Sequence, residues 1–255
     1  MKKWIIRGAI AVVALVVIVV VVITLTLDSS VKKAVEYAGP RLTQVDVKLD
    51  SVSLSLLGGS GKIKGLVVGN PEGYKTPSAI SLGHASMTLN PGSVFSDKVI
   101  IKSIIIEAPE ITFETNLRQS NIGKILANVE SATGGSPGDA PATGESSTKK
   151  LQVDDVMVSG GQIHVSVTGL VGKTLTVPLP TIHLTGLGQG PEGITGAELA
   201  KRILVEVEKS AAQAAAASVA DLSKRALDDL GKDAGKAATD SINKATKGLG
   251  DLFKK

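Results

Sequence analysis

The chain has 255 residues, a net charge of +4, no cysteine and only 2% aromatic residues. Without cysteine there is no disulfide, no thiolate nucleophile and no Cys-type zinc or iron–sulfur site. Residues 28–194 carry 14 basic and 15 acidic side chains, and so near-neutral a stretch with few rings excludes the basic face and stacking aromatics of a nucleic-acid binder.

The chain opens with Lys2, Lys3 and Arg7, then runs from Gly8 to Leu27 without a charge. A helix of that length spans about 30 Å, the thickness of a hydrocarbon core. Trp4 stands where an indole prefers the interface. A cleaved signal peptide would show a shorter apolar region and a small-x-small site, whereas this run ends in Thr24, Leu25, Thr26 and Leu27. Trp4, Gly8, Leu15 and Leu27 therefore mark an expected anchor over residues 1–27. The short basic start favours an N-in orientation, with the bulk of the chain across the membrane.

Residues 28–190 read as a β domain. Val31 to Tyr37 predicts a short helix that Gly39-Pro40 ends. The period then changes to two. Val45, Val47 and Leu49 alternate with polar residues, and Val52, Leu54 and Leu56 do so in the opposite phase, which implies a bulge or bend near Asp50-Ser51. Further strands are expected at Ile63 to Val68, Ile80 to Leu89, Val99 to Ile106, Ile111 to Phe113, Val153 to Val158, Ile163 to Val167, Leu175 to Leu179 and Ile182 to Leu184. Turn signals separate them at Gly58-Gly59, Asn70 to Gly73, Asn90 to Gly92, Ala108-Pro109, Gly160-Gly161 and Gly186 to Gly193. The spacing predicts a mainly β fold: an antiparallel, curved sheet, open groove or sandwich of short strands.

Residues 101–113 (IKSIIIEAPEITF) align without gaps to 153–165 (VDDVMVSGGQIHV), an offset of 52, with apolar matches at 101/153, 104/156, 105/157, 106/158, 111/163 and 113/165. Either a duplication or two hairpins of similar patterning would produce it. Ile122, Ile125, Leu126 and Val129 make a short amphipathic helix, expected to pack on the sheet. Residues 131–149, rich in Gly, Ser, Pro, Ala and Thr, read as a flexible linker.

From residue 195 the chain becomes an Ala/Lys-rich helical tail. Thr195-x-x-Glu198 is a capping box, and Leu199, Ile203, Val207, Ala211 and Ala215 begin a narrow apolar stripe that extends to Leu230. Over 197–230 it suits a solvated helix, or one docked on the sheet or on another copy, better than one lying on a bilayer, because alanine is a poor hydrophobe, while the weaker amphipathic stretch over 232–255 leaves both readings open.

No arrangement of side chains points to a reaction. His84, His164 and His183 each sit in a strand pattern without metal-ligand spacing. Asp154-Asp155 and Glu107/Glu110 fall at predicted strand ends. Gly58 to Lys62 is followed by a strand instead of the helix a phosphate loop needs. The expectation is a non-enzyme with no cofactor and no metal.

The ordered set formed by the basic start, the anchor, VKKAVEYAGPRLTQVDVKLDSVSLSLLGG, GLVVGNPEGYKTPSAISLGHASMTLNP, SDKVIIKSIIIEAPEITFE and SNIGKILANVE resembles the N-terminal part of the AsmA-like family of bacterial envelope proteins. A weaker likeness links Val67 to Pro71 to the water-stress β-sandwich module. The AsmA-like resemblance implies an inner-membrane protein facing the periplasm, with a β groove that serves envelope lipid or outer-membrane homeostasis. Its implied partners are the membrane and phospholipid acyl chains. The aliphatic excess on both sides of 104–106 marks Leu54, Ile80, Leu82, Ile104, Ile106 and Ile111 as residues that would line such a groove; the same residues would equally form a closed core. The alternative is a tethered scaffold whose 195–255 tail binds itself or another envelope protein. About ten strands stack to roughly 45 Å, too short to bridge two membranes alone.

Overall fold

Nine strands among the described residues build one curled, open sheet. In the computed structural model, which describes residues 26–115, 119–134, 149–167, 175–218 and 220, helix α1 (26–43) leads into β1 (Val47–Ser55), β2 (Ser60–Gly69) and β3 (Ser78–Leu89). There follow β4 (Lys98–Glu107), β5 (Glu110–Thr115), helix α2 (Asn121–Thr133), β6 (Lys150–Ser159), β7 (Gln162–Val167), β8 (Leu175–Pro178), β9 (Ile182–Leu187) and helix α3 (196–218).

The sheet is mixed, which corrects the antiparallel expectation. β1–β2–β3 is an antiparallel meander. β4 and β5 both run antiparallel to β3, in line with each other, with Ile80 opposite Ile111 and His84 opposite Glu107. β6 and β7 then pair parallel to them, Ile101 with Val153 and Ile111 with Ile163. β9 and β8 close the series antiparallel, Val158 with Ile182 and Ile163 with Val177. Ala108-Pro109 and Gly160-Gly161 are thus not hairpin turns. They interrupt continuous strands, and α2 lies on the crossover that the parallel pairing requires.

The offset of 52 is therefore the register of this parallel pair. Each apolar match noted in the sequence is a pair of facing residues.

A crease crosses the sheet. At Asp50 and Gly65 the side-chain phase reverses without a change of register: Leu49 faces Leu66 and Ser51 faces Lys64 on either side. Gly65 has φ +65, and a Cβ there would stand 2.0 Å from the Asp50 carboxylate. The crease continues through Gly83, then Ala108 (φ 46) and Gly160 (φ 67). The bend expected near Asp50-Ser51 is one end of it.

α1 does not stop at Gly39-Pro40, another correction. The Arg41 guanidinium donates to the Tyr37 carbonyl at 2.8 Å, and Thr43 Oγ1 donates to the Gly39 carbonyl at 2.8 Å. The helix is held from outside as well. A Cβ on Gly39 would lie 2.8 Å from Val47 Cβ, so only glycine lets α1 approach β1 so closely.

Ser120 caps α2 by accepting from Gly123 N–H. The expected Thr195/Glu198 box caps α3: Glu198 N–H donates to Thr195 Oγ1, and Thr195 N–H donates to the Glu198 carboxylate. α2 and α3 cover one face of the sheet. Ile122, Ile125, Val129, Val207, Ala211, Ala212 and Ala215 share a core with Ile111, Phe113, Ile163 and Val165. A second core joins Ile101, Ile104, Val153, Val156, Leu187 and Ile194, with Leu199 and Ile203 of α3 against it. The alanine stripe is thus spent on the chain's own sheet, because small side chains let the helix backbone lie close to it.

The anchor expected over residues 1–27 lies outside the described residues apart from Thr26 and Leu27, and Leu27 is half-buried in α1. Among the described residues no helix is long and apolar enough to cross a membrane. Of the 131–149 linker, residues 131–133 belong to α2, and 135–148 fall outside the description.

Candidate functional site: the inner sheet face

The face covered by α2 and α3 is an apolar surface built in rows. Through these rows the strands pair residue by residue, so one residue from each of up to six strands aligns across the sheet. One row runs Leu54, Gly61, Met87, Ile104, Val156, Leu184. The next is Val52, Ile63, Ala85, Ile106, Val158, Ile182. Beyond the crease come Leu49, Leu66 and Leu82, and then Val47, Val68, Ile80, Ile111, Ile163, Val177. The opposite face is mixed. One of its rows is Ser53, Lys62, Ser86, Ile105, Met157, His183, in which Ile105 is 39% exposed.

The six residues expected to line a groove all fall on this inner face, in two environments. Ile104 and Ile111 are buried in the two cores beneath the helices. Ile80 and Ile106 are partly buried against them. Leu82 is buried on β3, and Leu54 is half-exposed on β1. The helices thus cover the β4–β9 half. On the β1–β3 half, Leu54, Ile63, Leu66, Val68, Ile80 and Met87 all stay partly exposed on the inner face, forming an apolar strip. Val47, Leu49, Val52, Leu82 and Ala85 in the same rows are buried, and Val68, Ile80 and Met87 pack against the two cores, so the strip is a partly open aliphatic surface interrupted by buried residues.

The open edge of β1 is closed by α1. Three of its side chains, one helical turn apart, reach the strand backbone. The Asp28 carboxylate accepts from Leu54 N–H at 2.8 Å, Lys32 Nζ donates to the Asp50 carbonyl at 3.0 Å, and Glu36 accepts from Leu49 N–H at 3.2 Å. An edge that would otherwise invite another strand is blocked by these charged side chains.

A polar clasp closes the far end of the sheet. Glu114 is only 4% exposed. Its carboxylate accepts from Lys75 N–H, Thr76 N–H and Thr76 Oγ1 at 2.9–3.1 Å. Asn121 Nδ2 donates to Asn70 Oδ1 and to the Thr112 carbonyl, both at 2.7 Å. Asn70 Nδ2 donates in turn to the Thr76 carbonyl and hydroxyl. Burial and the nearby Glu114 charge raise the Tyr74 pKa. Burial raises Glu208, whose carboxylate lies 3.5 Å from Ser120 Oγ. The hydrogen bond from the Thr195 backbone lowers Glu198. The sequence reading missed the clasp. Its only sequence signal was a charge at Glu114 immediately after the apolar pair Ile111 and Phe113.

The histidines stay apart. His84 is exposed on the outer face opposite Glu107. His164 Nδ1 lies 3.0 Å from Thr176 Oγ1, and His183 Nε2 lies 2.5 Å from Asp155 Oδ1. Among the described residues no group of His, Asp or Glu could hold a metal ion.

No protein-family model, curated protein or solved structure matches the chain.

Proposed function

We propose that this chain is a membrane-tethered, non-enzymatic protein of AsmA-like type. It sits in a bacterial inner membrane with its β domain in the periplasm, and its inner sheet face shields acyl chains in envelope lipid or outer-membrane homeostasis. The observation that carries this reading is the in-register set of aliphatic rows on one sheet face, which α2 and α3 cover in part while Leu54, Ile63, Leu66 and Met87 on β1–β3 keep some exposure. An acyl chain against Leu54, Ile63, Leu66 and Met87 would gain about 0.8 kcal/mol for each methylene it buries. The uncharged run Gly8 to Leu27 supplies the tether. The alternative, a scaffold acting through the 195–255 tail, loses part of its basis, because residues 196–218 already spend their apolar stripe on the sheet.

The test is to purify the full chain in mild detergent, extract it and measure bound phospholipid by mass spectrometry. The wild type should carry lipid, and Leu66→Asn with Met87→Asn should lose most of it while keeping the same far-UV circular dichroism. A lipid-free wild type would reject the shielding role.

A further inference from the structure

We infer that the end of the sheet next to the start of α1 is a lipid-contacting rim, in which the β1–β2 turn and the β3–β4 loop seat Leu57 and Phe95 in the membrane interface. The inference rests on the anchor proposed above and adds which part of the folded domain meets the bilayer.

Two observations meet at this rim. The first is exposure. Leu57 is 81% exposed and Phe95 82% exposed, far more than any other large hydrophobic residue among those described. Phe95 is one of only three phenylalanines in the chain. Nothing in the fold requires an aromatic ring there.

The second is position. The two loops are neighbours, since Leu89 N–H donates to the Gly59 carbonyl at 2.7 Å and a Cβ on Gly59 would lie 3.0 Å from Pro91 Cγ. They also stand beside the beginning of α1. Asp28 holds Leu54 N–H, three residues before Leu57. Asp28 directly follows Leu27, the last residue of the uncharged run. α1 then leads away from this end, and β1 returns to it. If Gly8 to Leu27 lies in a bilayer, these loops are the part of the sheet that reaches its surface. Lys149 donates to the Val94 carbonyl, which holds an ammonium on the same loop as Phe95. The first inner-face row behind the rim begins with Leu54 and Met87, both partly exposed. A chain leaving the bilayer at this point would therefore meet the apolar strip first.

The opposite end gives the control. β2 runs from Ser60 at the rim to Gly69, roughly 30 Å at the usual rise per residue. Exposed Glu72 lies just beyond it.

The experiment uses the full chain in vesicles of phosphatidylethanolamine and phosphatidylglycerol, with Trp4→Phe to clear the background and a single indole reporter, Phe95→Trp or Glu72→Trp. Both positions are exposed, so the replacements fit the fold. Flotation after an alkaline wash is read first, then emission in vesicles with and without brominated acyl chains. The expected result is flotation of both variants, about a twofold loss of emission from the Phe95→Trp reporter, whose ring sits at the acyl boundary, and no loss from the Glu72→Trp reporter. Flotation with the two reporters equally unquenched would overturn the rim and leave the anchor standing. Failure to float would overturn the anchor, and the rim with it.

Discussion

The carboxylate of Asp28 accepts a hydrogen bond from the backbone N–H of Leu54 at 2.8 Å, across 26 residues of sequence. This contact fixes the start of α1 at the end of β1. With Lys32 and Glu36 it turns an edge strand into a covered one, so the sheet cannot grow on that side. A device of this kind keeps a curled sheet open without leaving it prone to edge-to-edge association.

Removing that cover should be visible locally. Asp28→Ala and Glu36→Ala each delete one side chain–backbone bond, worth about 1 kcal/mol. The expected result is faster hydrogen exchange at the Leu54 and Leu49 amides, one for each variant, and stronger self-association in the double variant. Mass spectrometry of exchanged peptides and light scattering check this.

The clasp at Glu114 should matter more. Glu114→Ala removes the shared acceptor of the Lys75 and Thr76 amides and the Thr76 hydroxyl, all in half-buried bonds, each worth about 1 kcal/mol when lost. A loss on the order of 3 kcal/mol in urea unfolding is expected, with early exchange across residues 70–77. Glu114→Gln, which keeps an acceptor oxygen, should lose less.

The crease makes a prediction about two neighbouring residues. Ala108 holds φ 46 and Gly160 holds φ 67, a region where a Cβ costs about 1–2 kcal/mol. Ala108→Gly should be neutral or raise stability by up to about 1 kcal/mol, whereas Gly160→Ala should lower it by about 1–2 kcal/mol. Thermal and urea unfolding of the two variants check the pair. A Cβ on Gly160 would have nothing closer than 3.9 Å, so the loss would come from the backbone and not from crowding.

α3 carries two glutamates of opposite pH behaviour. Burial raises Glu208, so the folded chain holds that proton above the pH at which the unfolded chain releases it. Its contribution is full below the ordinary glutamate range and is lost as pH rises through the folded value. The Thr195 backbone hydrogen bond lowers Glu198, so its contribution is present above the ordinary range and is lost as pH falls toward the folded value. Glu198 is largely exposed, which keeps that effect small. Urea midpoints measured from acid to neutral pH should show Glu208→Gln gaining at neutral pH over the wild type, and Glu198→Gln losing slightly there.

Much of the sheet was legible in the sequence, because period-two patterning reports directly on a half-buried strand. The strands from Ile63 to Leu184 and the phase change near Asp50 come from that signal. Gly160-Gly161 misled because a glycine pair looks the same in a hairpin turn and at a crease inside a strand. The distinguishing clue was the match at offset 52. Two strands that break phase at the same spacing can lie side by side in parallel, which two hairpins have no reason to do. α1 runs past Pro40 because Arg41, Thr43 and the contact with Val47 support it, and these are side-chain and tertiary terms that a helix-stop rule omits. Glu114 was unreadable because its partners come from a loop nearly forty residues earlier.

The most direct test of the inner face is site-specific photocrosslinking in cells. A photoreactive residue is placed at Leu66, inside the strip, or at Ile105, on the opposite face, and phospholipid adducts are measured by mass spectrometry. Adducts from position 66 and none from position 105 are the expected result. Equal labelling at both positions, or none at 66 with the full chain present in the membrane fraction, would contradict acyl-chain shielding by this sheet.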